Sequence, residues 1–274
     1  ERRSACLRRH VLDGSGWHTV FADDLVRSAQ DADRDRLGEI AAATTDPILA
    51  RYRREALRSL GVDVAADESA FIRYRFLSRH AFAPAGRAVK PDQIVWARSP
   101  VRLDLGGGWT DTPPYTNLFG GAVTNVAVDL NGQAPIQVFV RPRAEPTIVF
   151  HSIDLGEREE VGDSVSLRAF DNPQVRFALP RAACSLLGLS DGDLKTTLAD
   201  LGGGFEVSLL AAIPKGSGLG TSSILGGVLL AALFRYFGLT VPPAQLYLAV
   251  LELEQMLTTG GGWQDQIGGL AGGV

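Results

Sequence analysis

The run Pro214-Lys215-Gly216-Ser217-Gly218-Leu219-Gly220-Thr221-Ser222-Ser223 joins two unlike segments. Before it, Phe205–Ile213 has the β-branched, apolar character of a strand. After it, Ser222–Phe237 is apolar on every side and reads as a buried helix. Glycine at alternate positions lets a backbone approach an anion without Cβ interference. Successive N–H groups form an anion-binding concavity, and the free N–H groups and dipole of the following helix add to it. Pro214, Lys215, Gly216, Ser217, Gly218, Leu219, Gly220, Thr221, Ser222 and Ser223 are therefore candidates to hold a phosphate-bearing ligand. Lys215 also reads as a solvent-facing loop residue. Hydroxyls at the loop's end suit Mg2+, which prefers oxygen and takes phosphate oxygens beside it.

Other glycine signatures fail letter by letter. A P-loop needs G-x-x-x-x-G-K-[ST], and no glycine here is followed by that spacing. The dinucleotide-binding G-x-G-x-x-G fails at Gly216 and at Gly218. A nucleophile elbow G-x-S-x-G is missing, because Ser222 and Ser223 lack the flanking glycines.

Two further clusters narrow the chemistry. Arg102-Leu103-Asp104-Leu105-Gly106-Gly107-Gly108-Trp109-Thr110-Asp111-Thr112 leaves a strand and sets polar groups on a glycine bend. Glu254, on the predicted helix Pro243–Leu257, precedes Asp265 by eleven residues, with Gly260-Gly261-Gly262-Trp263 between them. Glu252 and Glu254 are two apart on that helix and face different ways, so one of them is expected to be solvated. A phosphate cradle, a carboxylate for a metal and a second carboxylate on a loop are the parts needed for phosphoryl transfer to a hydroxyl.

The chain outside these clusters sets bounds. Its 274 residues are 45% hydrophobic and 21% charged, as expected of a folded globular protein. A net charge of −4 offers nothing to nucleic acid. The apolar run Ile224–Phe234 is too short for a membrane span of ~20 residues. Two cysteines, Cys6 and Cys184, make neither a disulfide framework nor a metal site, which points to a cytoplasmic setting. Residues 1–90 predict helices over 22–43, 47–60 and 68–80, then a linker over 81–90. From 47 to 90 there are nine Lys/Arg against four Asp/Glu. Beyond residue 92 the pattern predicts strands at 94–97, 101–105, 122–129, 136–141 and 147–153, and a helix at 176–187. Strands first and helices later make the fold class α+β.

Gly-Gly-Trp-Thr-Asp-Thr-Pro-Pro at 107–114, Gly-Ser-Gly-Leu-Gly-Thr-Ser-Ser-Ile-Leu at 216–225, and Leu-Glu-Gln at 253–255 followed by Thr-Gly-Gly-Gly-Trp-Gln-Asp-Gln at 259–266 resemble the motifs of the GHMP small-molecule kinases. The likeness is greatest to their L-fucokinase branch and covers residues 92–274. It implies an N-terminal kinase domain like the second domain of ribosomal protein S5, over 91–274, preceded by a helical connecting segment over 1–90. It implies ATP and Mg2+, with the triphosphate on Gly216–Ser223 and the metal on Ser222 and Glu254. It makes Asp265 the acceptor of the sugar hydroxyl's proton. Arg102 would pair with that carboxylate and shield the moving phosphoryl group. Asp111, nine residues after Arg102 as in the sugar-binding segment of galactokinases, would bond sugar hydroxyls. Trp109, Thr110, Gly261 and Gly262 would complete the sugar site, with Trp263 able to line it or to pack in the core.

The implied activity is phosphorylation of L-fucose at its anomeric hydroxyl. A heptose-phosphate or other aldose kinase, and a non-catalytic sugar- or nucleotide-sensing module, are the alternatives. The family's C-terminal ferredoxin-like domain and a nucleotidyltransferase half are expected elsewhere in a longer chain, since the sequence runs from Glu1 and stops nine residues after Asp265.

Overall fold

The structure is a computed structural model, and it describes residues 82–112, 121–172, 174–214, 216–257 and 261–273. The three helices expected before residue 81, Lys215, and Pro113 to Tyr115 lie outside the described residues. The chain divides into two units, Glu1–Tyr74 with Gly107–Val123, and Arg75–Gly106 with Thr124–Val274.

The second unit contains a five-stranded sheet and a two-stranded ribbon. Its strands are β1 (Val95–Ser99), β2 (Val101–Gly106), β3 (Thr124–Val128), β4 (Ile136–Pro142), β5 (Ile148–Ser152), β6 (Glu157–Val161) and β7 (Phe205–Ala211). The sheet order is β1-β4-β7-β5-β6, with β2 and β3 forming the ribbon. β7 runs antiparallel to β4 and parallel to β5. On β4 the alternation is strict, since Ile136, Val138 and Val140 are fully buried while Gln137 and Phe139 face the other way.

The helices are α1 (Ser164–Arg168), α2 (Ala178–Leu186), α3 (Leu194–Asp200), α4 (Thr221–Tyr236), α5 (Pro243–Met256) and α6 (Gln264–Ala271). α4 is the central element. It packs on β1 and β4 on one side and on α2, α5 and α6 on the others, so it is apolar all round. Three glycines let α6 come close to α4 and to the ribbon, and a fourth lets α5 approach α4. A Cβ on Gly227 would lie 2.4 Å from Leu270 of α6, and one on Gly269 would lie 2.6 Å from Ile224 of α4. Gly226 and Gly268 meet Leu253 and Asn125 in the same way, at 3.1 and 2.5 Å.

The α+β class and the strands expected over 94–153 and 205–213 appear with their ends shifted by a few residues. Four of these elements were not foreseen: β6, α1, α3 and the glycine-bearing α6. β6 is an edge strand of sequence Glu-Arg-Glu-Glu-Val, whose charges suit a sheet edge and hide its strand character. α1 and α3 are short, but each is announced by an aspartate cap. Asp163 accepts from Ser166 N–H and Asp193 from Thr196 N–H, which holds both carboxyls below the usual range. The segment expected as a linker over 81–90 is anchored, at least from Phe82 on. Phe82 is buried against Phe234, and Ala88 N–H donates to Tyr236 O at 2.9 Å. No described helix is long and apolar enough to cross a membrane.

The described part of the first unit, residues 107–112 and 121–123, is a tight turn closed on itself. Thr110 Oγ1 lies 2.7 Å from Gly107 O and accepts from Ala122 N–H at 3.1 Å. A Cβ on Gly107, at φ +73°, would lie 1.9 Å from Ala122 O, so only glycine fits.

Candidate active site

Gly216, Gly218 and Gly220 all have φ of +74°, the left-handed region that glycine tolerates. The chain therefore turns at every second residue as it enters α4. Gly216 and Gly218 face open space where a Cβ would stand. Gly220 caps α4 in the same conformation, and no described side chain caps that end. The helix start is left for a ligand with negative charge.

Next to the loop lies a cleft of about 670 Å3. Gly216, Ser217 and Ser222 form part of its wall, Leu209 and Ala211 of β7 another, and Phe177 and Leu179 a third. Its lining is mostly apolar, as suits a flat organic ring. Phe177 sits at φ +57° before α2 with its ring 6.0 Å from that of Phe150. Asp265 belongs to the same wall.

Asp265 is in the first turn of α6, not on a loop. Glycine content makes this stretch read as a loop, since each glycine costs a helix about 1 kcal/mol. Packing against Ile224 and Asn125 overrides that preference. The helix start favours the carboxylate it carries. Arg102, on β2 and 7% exposed at its side chain, grips that carboxylate. Its Nε–H donates to Asp265 Oδ1 at 2.7 Å and its Nη2 to the same oxygen. Arg102 Nη1 donates to Gly218 O at 3.0 Å and pairs with Asp104 Oδ2 at 2.8 Å. One buried guanidinium thus ties the catalytic-candidate carboxylate to the glycine loop.

The other Asp265 oxygen faces Ser223, whose Oγ lies 3.2 Å from Oδ2 and donates to Glu254 Oε1. Ser223 Oγ thus lies between the Glu254 and Asp265 carboxylates. Serine and carboxylate oxygens are the donors Mg2+ prefers, and they fit it here. Among the described residues no group of three or more His, Cys, Asp and Glu could hold a metal ion, so Mg2+ would share its shell with a ligand's oxygens.

The sequence expectation put the hydroxyl for the metal at Ser222. The structure brings Ser223 to Glu254 instead, and leaves Ser222 exposed on the cleft wall. Helical periodicity carries the reason: position 223 shares the buried face of α4 with Ile224 and Gly227. The sequence expects one of Glu252 and Glu254 to be solvated, but the structure buries both, at 3% and 6% exposed. Both are held inside, because α5 is surrounded at its C-terminal end. Gly261 lies flat against Glu254, where a Cβ would stand 2.2 Å from Oε2. Gly262 O accepts from Gln266 Nε2 at 2.8 Å. These two glycines serve the Glu254 and α6 side of the site. Trp263 is partly buried at the start of α6.

Trp109, Thr110 and Asp111 belong to the first unit. Trp109 is 67% exposed at φ +70°, Thr110 spends its hydroxyl on its own turn, and Asp111 is 8% exposed. Asp104 received no role from the sequence. It proves to be the second carboxylate on Arg102.

Residues 187–273 match the GHMP kinases N terminal domain. The L-fucokinase/L-fucose-1-P guanylyltransferase of Bacteroides fragilis is 50% identical over 193 residues, which are 68% of this chain and 20% of that protein. The bifunctional fucokinase/GDP-fucose pyrophosphorylase of Arabidopsis thaliana is 32% identical over 222 residues, 77% of this chain and 20% of that protein. The chain spans about a fifth of the length of these curated relatives. A solved galactokinase of Lactococcus lactis, complexed with galactose, superposes with a TM-score of 0.50 and 21% identity, over 65% of this chain and 42% of that one, a likeness of fold. The glycine loop, Ser223, Glu254 and Asp265 all fall within the matched domain. The chain carries a GHMP kinase N-terminal domain.

Proposed function

We propose that this protein transfers the γ-phosphoryl group of ATP to the anomeric hydroxyl of L-fucose, giving L-fucose 1-phosphate and ADP. The observation that carries the proposal is the carboxylate of Asp265, gripped on one oxygen by buried Arg102 and open on the other beside the glycine loop and its cleft. The choice of fucose is supported by the 50% identity to the Bacteroides fragilis L-fucokinase/L-fucose-1-P guanylyltransferase.

The backbone N–H groups around Gly216–Ser223 hold the phosphates, and the apolar cleft takes the base. Ser223 and Glu254 would hold Mg2+, which when bound would supply positive charge to the phosphates. Asp265 orients the sugar hydroxyl and accepts its proton as the sugar oxygen bonds to the γ-phosphorus. The bond from that phosphorus to the bridging oxygen breaks, and ADP leaves with the electron pair. Arg102 holds Asp265 in place, and its charge, shared with Gly218 O on the phosphate loop, shields the moving group. Positioning and electrostatic stabilisation supply most of the rate. Asp111 and Trp109 are assigned to the sugar by resemblance. In a longer chain the product would pass to a nucleotidyltransferase half of the kind named in both curated relatives, and the reaction belongs in the cytoplasm, where ATP is available.

The test is incubation of the protein with Mg2+, ATP and a panel of aldoses, read as sugar monophosphate by mass spectrometry. L-Fucose 1-phosphate is the expected main product. A different sugar phosphate would keep the kinase and discard fucose. Tight Mg-ATP binding with no product from any sugar would favour the sensing module.

A further inference from the structure

We propose that Asn125 is a positioning residue that fixes the catalytic carboxylate of Asp265 through the backbone of α6. The inference rests on the kinase reading for its consequence, but its geometry stands apart from any substrate.

α6 is a poor helix by composition. It has eight residues, two interior glycines, and Trp263 at its N-cap position without a capping hydrogen bond from its side chain. Something outside it must set the orientation of its first turn, where Asp265 sits. Arg102 holds the Asp265 side chain. Asn125 holds the main chain, since its Nδ2 donates to Gln264 O at 3.0 Å, the carbonyl immediately before Asp265. The amide is seated tightly. A Cβ on Gly268, one turn along α6, would lie 2.5 Å from Asn125 Nδ2 and 2.7 Å from Oδ1, so position 268 accommodates the amide only as glycine.

Asn125 is also in register with Asp104 across the ribbon. Asp104 pairs with Arg102 Nη1 at 2.8 Å. One cross-strand pair therefore reaches both handles on the carboxylate, the guanidinium through Asp104 and the backbone through Asn125. Further along, Ala127 N–H of β3 donates to Gly273 O at 2.8 Å, and Ser99 Oγ donates to Gly269 O at 3.0 Å. These tie the far end of α6, leaving the catalytic end to Asn125. Misplacing a reacting group by 1 Å can cost on the order of a hundredfold in rate.

The experiment compares Asn125→Ala, Asn125→Asp and Gly268→Ala in the full protein. Asn125→Asp keeps the shape, removes the N–H donor and sets an oxygen against Gln264 O. Positioning by the hydrogen bond predicts a kcat loss of about tenfold for Asn125→Ala and Gly268→Ala and nearer a hundredfold for Asn125→Asp, with KM for ATP and sugar within about threefold of wild type. Simple packing predicts the reverse order, with Asn125→Asp almost harmless, and that result would overturn the proposal. Hydrogen exchange by mass spectrometry gives a readout free of activity. Faster exchange confined to a peptide over residues 264–270 is expected, and a rise spread over β4 and α4 would sink the idea. Should the wild type phosphorylate no sugar, the kinase proposal fails by itself, and selective or general exchange still decides for or against the clamp.

Discussion

Two carboxylates of this protein are each gripped by arginine, and they are built inside out relative to one another. At Asp265 the cation is inside and the carboxylate outside: Arg102 is 7% exposed and Asp265 23%. At Glu206 on β7 the order is reversed. Its carboxylate is 7% exposed, while Arg141 and Arg158 are 56% and 53% exposed, at 2.9 and 3.2 Å. Burial works to raise the Glu206 carboxyl, but the hydrogen bonds and charges of Arg141 and Arg158 outweigh it and hold the group below the usual carboxylate range. Cations converge on Glu206 from outside and leave it enclosed. A single cation behind Asp265 leaves one oxygen open to Ser223 and the cleft. The two pairs thus face opposite ways: Glu206 is enclosed by its cations, and Asp265 turns an oxygen toward Ser223 and the cleft.

The largest expected effect breaks the comparison at its active end. Asp265→Asn keeps size and hydrogen-bonding reach but cannot accept the proton. It should lower kcat by about 10³ or more while ATP binding, measured by calorimetry, and Tm stay near wild type. A variant with near-normal turnover would remove Asp265 from the chemistry. Next come the two serines. Ser223→Ala should cost about 10- to 100-fold in kcat and raise the Mg2+ concentration needed for half-maximal rate, whereas Ser222→Ala should stay within about threefold. The opposite order would return the metal's hydroxyl to Ser222.

Gly269→Ala tests the close approach of α6 to α4 that carries Asp265 to the loop. The added methyl meets Ile224 at 2.6 Å and should cost about 1–3 kcal/mol, read by urea unfolding, together with lowered kcat. The smallest effect belongs to the enclosed acid. Glu206→Gln should cost about 1–2 kcal/mol, discounted because Arg141 and Arg158 are exposed, and should leave kcat almost unchanged. Its pH dependence has a definite sign. The folded-state value lies below the ordinary glutamate value of 4.5, so the stabilisation is present above about pH 4.5 and fades as pH falls through the folded value. The stability gap between wild type and Glu206→Gln, measured at pH 7 and again near pH 3, should therefore be smaller at the lower pH.

Much of this arrangement is legible from residue order. Alternating burial on β4, the apolar α4 and the glycine pattern at 216–220 are local signals, and each element appears where its period predicts. The charged edge strand β6 and the glycine-bearing α6 escape such reading, because a sheet edge tolerates charge and tertiary packing outweighs helix propensity. At the site, the loop, Glu254 and Asp265 are recognisable from type and spacing. The choice between Ser222 and Ser223 needs the phase of α4, and the identity of Asp104 as Arg102's second partner needs the ribbon.

Residue order was thus enough for the parts, a loop that turns at every second residue and two acids at a set spacing, because backbone preference and hydrophobic period are properties of short segments. Tertiary structure alone decided which oxygen of Asp265 Arg102 holds and which faces Ser223. That depends on Arg102, 163 positions away in the chain, being buried behind the carboxylate, and no local pattern encodes the direction from which a distant charge arrives.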